Sequence, residues 1–538
     1  MDTFAEPPLI SVVMPTYETE PKYLREAIAS VRAQSYENWE LCIVDDGSTR
    51  PETRRAIKRA VSRDPRITAR LLDQNGGISR ASNRGLELCR GELVAFLDHD
   101  DALTADALLR VAEAFSLEEI DVAYSDQDTI TADGRTVDTF LKPDWSPVYA
   151  LGAMYIGHLL VARRDLVDRA GGFDPAFDTI QDFELLLRLS ERTERIHHIP
   201  HTLYHWRAIP GSIALGTSEK NGVPELQARA VNAHLRRRGI AAEAVPHESI
   251  PHRVRLRPDP GQAKPSMGIV VPARDGHGRA VDALLERTAY PDLEVIVVDR
   301  DWNGASQLDR PGIARVAAPE GSFNPGRWAN LGASSARGEY LVFLGEDTEV
   351  VEPDWVEQLL LYAGMPDVGA VGPTLTHPDG RVDAAGFATG LYDPAVPAMR
   401  GFEAGGDGYY GSLCCAREVS AVGMECMLIR RDLFDQLGGF EEAYSRQFGD
   451  LDLCLRLARS GLATVCAPAP RTVTRTTEAR RLADFDVIDR ALFVDRWYER
   501  LETGDPYYNR NFFRAAADYA LSPFTRDPHA IAKREAVG

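Results

Sequence analysis

Short apolar runs and amphipathic stretches alternate along the chain. Residues 9–14, LISVVM, form a β-branched run that reads as a buried strand. Residues 23–34 have helical spacing, and 39–44, WELCIV, read as a second strand ending in the polar turn Asp45-Asp46-Gly47-Ser48. The same phrase returns from Met267. MGIVVPARD is followed by an apolar helix through Leu284 and Leu285, then by LEVIVV at 293–298, which ends at Asp299-Arg300-Asp301. Arg80-x-x-Asn83-x-Gly85 followed by Arg90-Gly91-Glu92 stands beside Arg327-x-x-Asn330-x-Gly332 followed by Arg337-Gly338-Glu339, at a constant offset of 247 residues. Each segment leads into an apolar strand, LVAFL at 93–97 and LVFL at 341–344, that breaks off into acids. Each half later has a Gly-Gly-Phe turn, at 171–173 and 438–440, and then an acid-rich loop entering an amphipathic helix with Leu-Arg-Leu. Six identities in register make the chain a tandem duplication of one α/β unit.

Alternating strands and helices imply two α/β domains with mainly parallel, mixed sheets. The expected organisation is a first domain over 1–257, a Pro-rich linker over 258–265, a second domain over 266–495, and an aromatic, basic, helical tail over 496–538. In the tail, Arg496-Trp497-Tyr498, Phe512-Phe513 and Phe524 either pack on the second domain or attach the protein peripherally to a membrane.

Composition narrows the class. With 538 residues, 44% apolar and 26% charged, the chain is globular and has room for at least two cores. A net charge of −20 repels nucleic acid and anionic lipid, so an anionic substrate needs local cations or a divalent metal. Seven cysteines, an odd number with no C-x-x-C spacing, read as reduced thiols of a cytoplasmic protein. No secretion-signal pattern opens the chain, and no apolar run approaches the ~18–20 residues that cross a bilayer.

Parallel sheets bind ligands beyond the carboxyl ends of their strands. Asp45-Asp46 and Asp98-His99-Asp100-Asp101 fall at such ends. Two carboxylates one residue apart suit Mg²⁺ or Mn²⁺, which prefer oxygen and bridge to phosphates; the other reading is a polar turn with a helix cap. Neither half has G-x-G-x-x-G or a P-loop after its first strand, which argues against a dinucleotide oxidoreductase or a nucleotidyltransferase.

The order Asp45-Asp46, Arg80-x-x-Asn83, Arg90-Gly91-Glu92, Asp98-His99-Asp100-Asp101, Gly-Gly-Phe, Gln181-Asp182 and Tyr204-His205-Trp206-Arg207 resembles the family 2 glycosyltransferases of the GT-A fold. It is most similar to the tandem members that build bacterial surface polysaccharide such as O-antigen. Lys142-Pro143-Asp144-Trp145-Ser146-Pro147 and Asp505-Pro506-Tyr507-Tyr508-Asn509 belong to the resemblance. It implies an inverting, metal-dependent transfer of a hexosyl or deoxyhexosyl group from a UDP- or dTDP-sugar to a glycan or lipid-linked acceptor. It implies that Pro15, Tyr17, Asp46, Arg80, Asn83, Asp98 and Arg207 bind the donor, with Asp46 on the pyrimidine. Asp100 and His205, with Asp98, would hold Mn²⁺ or Mg²⁺, and Asp182 would be the catalytic base. Without the resemblance, His205 reads as a packed core histidine and Asp182 as a helix N-terminal acid.

The second half departs from this pattern. Arg300 stands opposite Asp46, and Gly345-Glu346-Asp347-Thr348 opposite the acid cluster, while Asp347 and Asp450 match the metal aspartate and the base. Residues 471–476 offer no histidine. The readings that remain are a degenerate second site at Arg300, Glu346 and Asp347, a bifunctional enzyme, and a glycan-binding or scaffold protein with a silent transferase fold.

Overall fold

The computed structural model describes residues 7–209, 222–259, 261, 264–274, 278–300, 312–474 and 486–522. Asp301, Arg475, Thr476, Phe524 and part of the 258–265 stretch lie outside the described residues. The chain forms two compact units, one of residues 1–239 with 244–254 and the other of 240–243 with 255–538.

In the first unit the strands are β1 Ile10–Thr16, β2 Trp39–Asp45, β3 Ile67–Leu71, β4 Leu93–Phe96, β5 Ala102–Leu103, β6 Val122–Thr131, β7 Thr136–Phe140, β8 Leu160–Arg163 and β9 Ile196–Ala208. They make one sheet in the order β3-β2-β1-β4-β8-β6-β9-β5, with β7 paired to β6. β1 to β4 run parallel, and β8 is antiparallel to both β4 and β6. Ile10, Val12, Val13 and Met14 of β1 are fully buried, as a strand covered on both faces requires. The helices Pro21–Arg32 and Ala107–Leu117 pack their apolar stripes, including Leu24, Ile28, Leu108 and Val111, into the same core. Because Thr16 is level with Asp45 and Val13 with Phe96, the polar ends of β1, β2 and β4 open on one edge of the sheet.

The second unit repeats this topology. Its strands run Ile313–Ala317, Leu293–Asp299, Met267–Pro272, Tyr340–Leu344, Cys426–Arg430, Val368–Thr376, Ala463–Thr474 and Thr348–Val350 across the sheet. Register repeats too: Ile10 faces Trp39 and Leu93, and Met267 faces Leu293 and Tyr340. The expected pair of tandem α/β units with mixed sheets is therefore the observed fold. The largest departure is the segment between Thr376 and Cys426, which carries the short strands Val382–Ala384, Phe387–Thr389, Ala395–Pro397 and Arg417–Val419. The helical segment Val487–Thr503, kinked at Trp497, spans the expected boundary at 495/496, and its Phe493 and Trp497 are buried in the second unit's core. In the tail, Phe512 meets Tyr409 edge-to-face, Tyr519 stacks on Tyr409, and Tyr508 packs against both Phe512 and Tyr519, whereas Tyr498 remains exposed. Among the described residues, no helix is long and apolar enough to cross a membrane. All seven cysteines are buried and unlinked.

The repeated identities are scaffold. Asn83 Nδ2 donates to the Phe173 carbonyl (2.8 Å) and its Oδ1 accepts from the Phe173 amide (2.8 Å). Asn330 does the same to Phe440, at 2.9 and 2.9 Å. Each asparagine thus ties its helix to its Gly-Gly-Phe turn. A Cβ on Gly85 would lie 2.7 Å from Val13, and one on Gly332 would lie 2.4 Å from Val270, so these helices sit on their first strands only without a side chain there.

Asn83→Ala leaves the amide and carbonyl of Phe173 without this partner, and should cost the first unit about 1–3 kcal/mol in urea unfolding. A loss below the error of the fit would show that the clamp is not structural.

Candidate active site

A cavity of about 610 Å³ opens at the sheet edge of the first unit where β1, β2 and β4 end. Pro15, Tyr17, Asp46, Asp98, Asp100 and Asp182 all line it. Asp182 reaches this wall from the helix Gln181–Ser190, which is anchored by Arg188. That guanidinium bonds the carbonyls of Ala170 and Gly172 and pairs with Glu184 (2.5 Å), which fixes the Gly-Gly turn against the start of the helix.

The acid turn is held by β9. Tyr204 donates its hydroxyl proton to Asp101 Oδ2 (2.7 Å) and accepts from the Asp98 amide (3.2 Å). The Arg207 amide donates to Asp101 Oδ1 (2.7 Å), and Arg207 Nε donates to the Asp100 carbonyl (2.7 Å). Asp101 is almost fully buried; burial, then the charges of Asp98 and Asp100, push its pKa well up. Asp98 and Asp100 are left half-exposed toward the cavity.

Asp46 lines the same cavity, with its two oxygens accepting from the amides of Gly76 and Gly77 at 2.9 Å each. Gly77 has φ 94°, and a Cβ there would lie 2.1 Å from Asp178, another cavity residue. Asp182 Oδ1 accepts from the Phe183 amide (2.8 Å). Burial raises the Asp182 pKa, opposed by the neighbouring His158.

The remaining residues singled out from the sequence lie off the cavity wall. Arg80 bonds the Gly76 carbonyl (3.0 Å), Asn83 is the clamp described above, and Arg207 is 3% exposed and paired with Glu26 (2.9 Å). His205 Nδ1 meets Asp128 at 2.6 Å. All four brace the loops that carry the lining residues.

His158, which no sequence argument singled out, lines the cavity with its Nε2 3.8 Å from Asp98, stacked on Tyr204 at 4.6 Å. Atoms of Asp98, Asp101 and His158 lie within 4.8 Å of one another, close enough to share a cation. Burial pushes His158 down to about 4, which keeps the imidazole neutral. Its loop is gripped from below by Lys142, a fully buried ammonium whose Nζ donates to the carbonyls of Ser125 (2.5 Å), Ile156 and His158. The Lys142 amide donates to Asp126 (2.8 Å), which also meets His198 (2.9 Å); His198 in turn meets Asp144 (3.1 Å). The Lys-Pro-Asp-Trp motif is thus the foundation of the His158 loop. Its spacing was visible in the sequence, but the partner it supports was not.

Residues 11–154 and 275–438 match the glycosyl transferase family 2, which covers more than half of the chain. The chain belongs to that family. The chain is 36% identical over 538 residues to the uncharacterized protein y4gI of Sinorhizobium fredii, covering 96% of this chain and 59% of that one. It is 36% identical over 544 residues to the O-antigen biosynthesis protein RfbC of Myxococcus xanthus, covering 98% and 42%. The chain therefore spans about half the length of these curated relatives. Among solved structures, S. aureus TarS 1-349 in complex with UDP-GlcNAc aligns with 42% of this chain and 66% of its own at 21% identity, with a TM-score of 0.36. Both family 2 matches begin near a unit's first strand and take in the strand that precedes its acid turn.

Lys142→Met leaves the carbonyls of Ser125, Ile156 and His158 without their donor; it should lower the unfolding free energy of the first unit by about 3–5 kcal/mol. Unchanged urea unfolding would mean that the His158 loop does not depend on the lysine.

Proposed function

We propose that the first unit transfers a sugar from a nucleoside diphosphate sugar to an acceptor hydroxyl, with Asp182 as general base. The observation that carries this reading is that one cavity holds Asp46 at one wall, Asp98 and Asp100 at the strand end, and the raised carboxyl of Asp182. A sugar hydroxyl attacks well only as its proton leaves, and Asp182 is the lining carboxylate set at a helix start to receive it. Direct displacement by that hydroxyl forms the new glycosidic bond as the bond to diphosphate breaks. With no covalent sugar-enzyme intermediate, the anomeric configuration inverts. Asp46 and the Gly76-Gly77 turn receive the pyrimidine nucleoside, with UDP and dTDP as the candidates.

Among the described residues, the lining contains five aspartates and no lysine or arginine. A diphosphate would be repelled by such a wall. Oxygen donors of this kind fit Mg²⁺ or Mn²⁺, which Asp98 and Asp100 would hold with His158 as the nitrogen donor. When bound, the cation supplies charge neutralisation for the departing diphosphate. Asp101 acts through its bonds to Tyr204 and Arg207, keeping the turn in the shape that presents its neighbours. The similarity to an O-antigen biosynthesis protein supports a part in cell-surface polysaccharide synthesis; the acceptor in this reading is a glycan or a lipid-linked oligosaccharide at the cytoplasmic face of the membrane.

Asp182→Asn should lower kcat for nucleotide release from UDP- or dTDP-sugars by ~10²–10⁴-fold, with the donor KM nearly unchanged. A full-rate Asp182→Asn enzyme would remove the proposed base. Chelation with EDTA should abolish turnover and Mn²⁺ restore it, and Asp100→Asn should raise the Mn²⁺ concentration required. Metal-independent turnover would refute the cation's role.

Asp182 works deprotonated and its pKa is raised. Activity should therefore fall as pH drops through a value above the ordinary aspartate pKa of about 3.9. An acid limb at or below that value would contradict the assignment.

A further inference from the structure

The second unit builds the base-like aspartate again but closes the nucleotide wall. Asp450 opens the helix Gly449–Arg459, and Arg456 bonds the carbonyls of Leu437 (2.6 Å) and Gly439 (2.7 Å), the same brace that Arg188 makes. A cavity of about 330 Å³ lies at Asp450. None of Arg300, Glu346 and Asp347 lines it.

At the constant offset of the repeat, Gly76 corresponds to Phe323 and Ala81 to Trp328. Ala81 lines the first unit's cavity, whereas the indole of Trp328 is 2% exposed and packed in the second unit's core, with Phe323 edge-on at 4.8 Å. Arg300, in the place of Asp46, donates to the carbonyls of Pro319 (3.3 Å) and Gly321 and lies 5.7 Å from the Trp328 ring. Aromatic rings thus fill the place that corresponds to the cavity wall proposed to receive a nucleoside in the first unit.

What remains open is the side facing the base. The long segment between Thr376 and Cys426 contributes Asp393 and Arg400 to its wall, and the loop before Asp450 contributes Arg446 and Phe448. That loop is rigidly set: buried Asp489 accepts from the amides of Ser445 (2.9 Å), Arg446 (2.7 Å) and Gln447 (3.0 Å), and Phe448 stacks on Phe493 at 4.7 Å. The volume falls at the low end of the ~300–1,000 Å³ of small-ligand sites, which suits one or two sugar rings rather than a whole nucleotide sugar. Carboxylates and guanidinium groups pair with vicinal hydroxyls.

We infer that the second unit holds a carbohydrate site, at Asp450, Asp393, Arg400, Arg446 and Phe448, for a sugar ring of a glycan that carries no nucleotide. The inference rests on the reading of Asp182 as the residue that faces the acceptor. The second unit would then hold the glycan chain while the first unit acts on it.

The test uses the full chain and two probes: UDP with Mn²⁺ in titration calorimetry, and methyl glycosides of a hexose, an N-acetylhexosamine and a hexuronic acid in saturation-transfer NMR. One UDP should bind per chain and be lost in Asp46→Ala. At least one glycoside should keep its signal with UDP saturating and in Asp46→Ala, and bind about tenfold more weakly in Asp450→Asn and in Arg446→Ala. Arg446 is exposed, so its variant reports even if Asp450→Asn does not fold. A second UDP equivalent weakened by Asp450→Asn, or no glycoside signal sensitive to either substitution, would overturn the inference. UDP binding that is absent, or indifferent to Asp46→Ala, would instead count against the first unit's proposed function and leave the glycoside result to be read by itself.

Discussion

Holding several carboxylates around one cleft is the constraint on which the first unit is built. Asp98, Asp100, Asp101 and Asp182 come from two distant stretches of chain, and like charges at such separations repel unless bonded or neutralised. β9 supplies the restraint. Tyr204 and Arg207 take both oxygens of Asp101, the amide of Asp98 and the carbonyl of Asp100, so the turn keeps its shape while its neighbours face the cavity. A strand that crosses beneath the turn can do this because β9 pairs with β6 on one side and β5 on the other. The site is therefore an outcome of sheet order as much as of the acids themselves.

Beneath that layer lies a second one. Lys142 spans three carbonyls, among them those of Ile156 and His158, and its backbone amide bonds an aspartate that also meets His198. An ammonium has three protons to donate and here three acceptors surround it, which is how a buried charge becomes tolerable. The same arrangement places an imidazole beside Asp98 that is neutral and close enough to it to share a cation.

Much of the fold was legible because the duplication was written in identities. Those identities turn out to be the ones that assembly needs: Asn83 and Asn330 clamp the Gly-Gly-Phe turns, and Gly85 and Gly332 admit the first strands. They report shared architecture, so they could not say whether both units share chemistry. The acids at strand ends were also legible, since a strand that stops in Asp-x-Asp puts them at an edge. His158 was not, because it sits in a loop 60 residues beyond Asp98 and has no local pattern; only the antiparallel return of β8 brings it across. Arg207 and His205 stood in a motif that pointed at the ligand, whereas their contacts in the structure are with Glu26, the acid turn and Asp128. Motif proximity in sequence does not distinguish a residue that touches a cavity from one that holds its wall.

The two units, similar in topology and register, diverge where substitution of small residues by aromatic ones changes the space above the sheet. The most direct test is a crystal structure of the full chain grown with UDP and Mn²⁺, with manganese located by its anomalous scattering. One manganese peak at Asp98 or Asp100, with UDP in the first unit's cavity and none in the second unit, is the predicted result. A peak at Asp347, or a nucleotide seated against Trp328, would contradict it.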